Sequence, residues 1–92
     1  EAAEKAAEAF TNLSDSLEEL SDKYDNLENL VRGTKEWRDA VKEVNSEVLG
    51  LIEEYPELAG LVKHEKGVLT LDVESQEVQD VLNKYEDKAT QA

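Results

Sequence analysis

Two apolar runs alternate strictly between steps of three and four residues, and that alternation constrains the fold more than anything else in the chain. Phe10, Leu13, Leu17, Leu20, Tyr24, Leu27 and Val31 make the first run; Trp37, Val41, Val44, Val48, Leu51 and Tyr55 make the second. A repeat of this kind lays one narrow stripe along each helix, and a narrow stripe is buried only against another. Between the runs stands Gly33-Thr34. Glycine tolerates the left-handed backbone that ends a helix, and threonine caps the helix that follows. The pattern predicts an antiparallel helical hairpin with heptad seams, helix 1–32 joined to helix 35–55. The first stripe extends backwards through Ala6 and Ala3, and Arg32 falls in a last turn where a cation suits the helix dipole. The register predicts Val31 against Trp37, Leu27 against Val41, Tyr24 against Val44, Leu20 against Val48, Leu17 against Leu51 and Leu13 against Tyr55.

Ala40, Leu49 and Ile52 broaden the second stripe and are the candidate partner-facing residues. They call for a further neighbour, either the C-terminal segment or another chain, so a homodimer is left open. Gly50, costly inside a helix by about 1 kcal/mol, is read as permitting close approach there. Proline excludes helical geometry from the residue before it, so Tyr55-Pro56 ends the second helix. A short turn is expected at 57–62. The period then changes: Lys66-Gly67 reads as a turn before the β-prone run Val68-Leu69-Thr70-Leu71, a hairpin-like excursion over 62–71. Asp72 is expected to cap a last helix, 73–87, whose face is Val78, Val81, Leu82 and Tyr85. The expectation is a single mainly α domain over 1–92: a helical hairpin, a short β-like excursion, and a C-terminal helix packing on the hairpin across its open end. The uncapped helical opening, without methionine, reads as a fragment of a longer chain.

The 92 residues carry 23 acids against 10 bases, a net charge of −13. Residues 1–32 hold nine acids and three bases, 33–62 seven and three, 63–92 seven and four. No third is basic, so nucleic acid and anionic lipid are not expected partners. The bland reading of the acidity is a solvated surface on an elongated helical protein. Cysteine is absent, which removes disulfides and thiolate metal sites. No apolar stretch approaches the roughly 20 residues of a membrane span, and no basic-then-apolar leader is present.

Chemistry is hard to find. His64 is the single histidine, flanked by Lys63 and Glu65, and reads as a solvated loop residue. Neither an HExxH run nor a calcium-loop motif occurs. Neighbouring acids such as Glu18-Glu19 and Glu53-Glu54 point about 100° apart on a helix and do not converge. Glycines 33, 50, 60 and 67 are too scattered to cradle a phosphate. Trp37 falls on the seam and reads as a core plug, and the three tyrosines occupy apolar positions with a hydroxyl free to reach an edge. The expectation is no catalytic residue, no metal and no cofactor.

One stretch has a wider likeness. Leu51-Ile52-Glu53-Glu54-Tyr55-Pro56-Glu57-Leu58-Ala59, then Glu65-Lys66-Gly67-Val68-Leu69-Thr70-Leu71-Asp72 and a helix, resembles segments of phage and prophage tail tape-measure proteins. There a heptad-rich helix, a Tyr-Pro-Glu-Leu break, a Gly-Val-Leu hairpin, an Asp cap and a further helix follow one another. The likeness covers about the latter half of the chain. It implies a non-enzymatic structural segment acting through helix packing, with other copies or tail and assembly proteins as partners, in the virion tail or host cytoplasm. Small secreted helical hairpins with a Trp-x-Gly turn fit less well, because Trp37-Arg38-Asp39 lacks the glycine. The alternative function is an acidic helical adaptor that recognises a basic protein partner.

Overall fold

The computed structural model describes the backbone of residues 2–90 and the side chains of residues 4–88. Glu1, at the start of the expected first helix, and the Ala3 side chain lie outside the described residues. The element order is α1 (Ala2–Glu28), α2 (Lys35–Glu54), a 3-10 turn (Pro56–Leu61), β1 (Lys63–Glu65), β2 (Val68–Thr70) and α3 (Gln76–Thr90). The mainly α class, the returning helix pair, the two-stranded hairpin and a C-terminal helix packed on the pair are those the sequence predicts. The molecule measures 49 × 20 × 19 Å.

The first helix stops four residues short of the expected 1–32. The Asn29 amide side chain donates to the Asp25 carbonyl at 3.1 Å, and the N–H groups of Asn29 and Leu30 bond to carbonyls only three residues back. Asparagine thus satisfies the end of α1 before the stripe runs out, a competition with helix that short polar side chains win at termini. Val31 lies outside the helix and is 73% exposed, so the Val31–Trp37 layer does not form. Arg32 sits in the loop instead of a last turn. Gly33 does take the left-handed backbone, with φ 89°, but five residues past the helix end. Thr34 caps α2 as expected, its Oγ1 accepting the Trp37 N–H at 3.3 Å and donating to the Val31 carbonyl at 2.7 Å.

Below the bend the seams close. Leu13, Leu17, Leu20, Val44, Val48, Leu51 and Tyr55 are buried. Two contacts across the helix pair lie within about one helical turn of the predicted register: Lys23 Nζ to Glu47 Oε2 at 2.7 Å, and the Tyr55 hydroxyl donating to the Ala9 carbonyl at 3.3 Å. The core continues through Leu58, Leu69, Leu71, Val78 and Val81. Every one of these comes from the second half of the chain, which therefore completes the core.

α3 differs in start, cap and course. It begins at Gln76, three residues after the expected position, because Ser75 and not Asp72 caps it: Ser75 Oγ accepts the Val78 N–H at 3.3 Å. Asp72 Oδ1 instead accepts the Glu74 N–H at 3.1 Å, closing a tight turn that leads in. The helix lies lengthwise along α1 rather than across the open end. Gln79 and Leu82 stand beside Leu17 and Ser21, and Tyr85 reaches the Tyr55 ring at 5.5 Å in an edge-to-face contact. α3 is therefore antiparallel to α1. Gly50 faces open space, with no atom within 4 Å of where a Cβ would stand, so it is not a point of close approach.

Candidate functional site

The β-hairpin is built around a two-residue turn, Lys66-Gly67, with φ of 51° and 84°. Left-handed backbone at both positions matches the natural twist of a short hairpin. Lys63 pairs with Thr70, His64 with Leu69 and Glu65 with Val68. A two-stranded ribbon this short does not stand alone, and here side chains from both long helices hold it. The Tyr24 hydroxyl of α1 donates to the Leu69 carbonyl at 2.6 Å and accepts the Leu71 N–H at 2.9 Å. From α2, Asn45 Oδ1 accepts the Leu69 N–H at 2.8 Å while its Nδ2 donates to the Gly67 carbonyl at 3.0 Å. Tyr24 and Asn45 occupy the outer edge of β2 where a third strand would otherwise bond.

Clamping the hairpin against the two helices shapes an open groove of about 790 Å³ at the bend end of the molecule. Its apolar surface comes from Tyr24, Leu27, Leu30, Trp37 and Val68, and Glu28, Arg32, Glu65 and Lys66 also line it. The Arg32 guanidinium stands 5.5 Å from the centre of the Trp37 ring, a favourable cation–π arrangement. Trp37 is thus half-buried in a groove wall and not the core plug that its seam position suggests. Leu27 and Val41 are also only half-buried, because the register opens where α1 ends early.

The remaining seam and flank residues fall as follows. Phe10 is half-buried near the other end of α1, and Tyr24 is half-buried as part of the clamp. Of the three flank residues, Ala40 is half-buried, Ile52 is partly buried and packs on the core, and Leu49 is 57% exposed. Leu49 alone among them offers an open apolar side chain.

The far end is locked by the 3-10 turn and α3. Leu58 is fully buried, and Glu57 accepts a hydrogen bond from the Tyr85 hydroxyl at 3.0 Å. Burial, followed by the hydrogen bond to Glu57, pushes the Tyr85 hydroxyl up to about 12. Burial also raises Tyr24 and Tyr55. Lys23 is raised chiefly by its hydrogen bond to Glu47. No polar or charged residue is buried among the described residues. None of their acids and histidine gather into a metal-binding group, and no described helix is long and apolar enough to cross a membrane. His64 is exposed on β1.

The sequence reading missed the clamp and the groove. Nothing in the spacing of Tyr24 and Asn45 marks them as partners of backbone groups 22 to 47 residues away; only the docked hairpin reveals it. Comparison with family models, with curated proteins and with solved structures finds no match to this chain.

Proposed function

We propose that this chain is a non-catalytic structural module of a tail tape-measure-like helical protein, working through surfaces rather than through chemistry. The observation that carries the reading is what the resembling residues do. Tyr55, Glu57, Leu58, Gly67, Leu69 and Leu71 are each buried, hydrogen-bonded or conformationally special. Their joint effect is to turn a heptad hairpin into a closed unit and start a further helix. Closure of this kind suits a structural segment that acts through helix packing.

The test is genetic. The reading frame encoding the chain should run to many hundreds of residues beside tail genes. An in-frame deletion should then shorten tails, measured by electron microscopy, by up to the 49 Å length of the folded unit. Tails of unchanged length would overturn the proposal.

A second reading rests on a separate observation: Asp15, Glu18, Glu19 and Asp22 line one shallow surface of α1. An acidic adaptor would use that face to hold a basic protein, and its capture would weaken steeply with salt.

A further inference from the structure

Folding sorts the charge in a way that the linear sequence conceals. The bend end, residues 24–43 and 63–70, brings together six bases (Arg32, Lys35, Arg38, Lys42, Lys63 and Lys66) and six acids. Those two segments balance, and the excess of acids lies on the rest of the chain, of which Asp72 and Glu74 border Asp25 and Glu28 at one margin of that end. The same end carries the groove, together with Val31, 73% exposed beside it. Across most of the surface a second copy meets repulsion; here it meets the least. The groove also contains a self-matching set, two bases (Arg32, Lys66) and two acids (Glu28, Glu65) around Leu30 and Trp37.

We infer that the bend end is a homotypic interface, in which a second copy of this chain covers the groove about a two-fold axis. In such an interface one patch meets itself, so any base set against an acid of the other copy is matched by the same contact in reverse, and the apolar walls cover each other. Acidic bodies then project to opposite sides, which keeps their mutual repulsion low. A foreign partner of one dominant charge would leave two of the four rim charges opposed, and this favours the second copy. The inference stands independently of the tape-measure reading, since the chain can pair through this end whatever longer protein it serves.

Sedimentation equilibrium of the chain, from about 1 μM to about 1 mM, should show a monomer–dimer equilibrium. Trp37 emission should shift to the blue as the dimer fills. Val31→Asp, a change at an exposed loop position, should abolish the dimer while the helical circular dichroism stays at its original strength. The decisive arm uses two charge-reversed chains, Arg32→Glu with Lys66→Glu and Glu28→Lys with Glu65→Lys. Each alone should dimerise at least about tenfold more weakly, and their mixture should recover a one-to-one heterodimer. A wild-type chain that stays monomeric to about 1 mM overturns the interface and points to a different protein as the occupant of the groove. A dimer that persists in Val31→Asp and in both reversed chains overturns it equally, since pairing would then use another face. Loss of tail shortening in the deletion test leaves these outcomes untouched.

Discussion

Leu20, Tyr24 and Tyr85 show three different ways in which one side chain holds this fold. Leu20 is fully buried between the long helices and their C-terminal cover. Leu20→Ala should cost about 2–5 kcal/mol, the range for truncating a packed core leucine, read from urea unfolding followed by circular dichroism. Tyr24 contributes a hydroxyl that serves two backbone groups at once. Tyr24→Phe keeps the ring but leaves a half-buried N–H and C=O without their partner, at a cost of about 1–3 kcal/mol. The tyrosines also set the alkaline limit. Tyr24, Tyr55 and Tyr85 all hold their protons to higher pH than the ordinary value near 10, Tyr85 up to about 12. A raised acid favours the fold only while protonated, so this stability is complete below about pH 10 and is lost as pH climbs toward the folded-state values. Lys23, also raised, acts in the same direction. Thermal melts should fall between about pH 9 and about pH 11.5, and Tyr85→Phe should flatten part of that fall.

Among elements, α2 carries a correctable flaw. Gly50 sits within Lys35–Glu54 with open space around it. Gly50→Ala should therefore stabilise the protein by about 0.5–1 kcal/mol, the helix-propensity difference uncomplicated by any clash, raising the urea midpoint without changing its slope. At the start of α3, Ser75→Ala should cost about 1 kcal/mol as the loss of a true N-cap, measured in the same way. These two sites also mark where reading residues in order succeeds and fails. The 3-4 alternation announced both long helices and the return between them, because stripe burial is a periodic demand visible in one dimension. Pro56 and Gly67 announced their breaks because each restricts or frees its own backbone. The end of α1 at Glu28 was not legible: Val31 keeps the period, and only the Asn29 side chain bonding back to Asp25 shows that the helix has closed early. Asp72 and Ser75 are both good caps by type, and hydrogen bonding that no spacing specifies decided between them. Trp37 was legible as an apolar seam residue but not as a groove wall, because its face depends on where the hairpin docks.

At the scale of the whole molecule, charge is the term most open to experiment. A body bearing a net −13 repels itself, and salt screens that repulsion over about 10 Å at 0.1 M. Raising salt from low ionic strength to about 0.5 M should therefore increase the melting temperature of the chain. The Lys23–Glu47 ion pair is partly exposed and should offset this gain only slightly. The charge balance at the bend end was not visible in thirds of the sequence, since that end is assembled from two segments that a helix separates.

The grip on Leu69 has a consequence for how the molecule opens. Its amide is held by one long helix and its carbonyl by the other, so the strand cannot peel away on its own. Deuterium should accordingly reach the Leu69 and Leu71 amides only when the entire domain comes apart, while the amides of the bend loop exchange freely. A hairpin of eight residues, with almost no stability of its own, would thereby report the opening of everything around it.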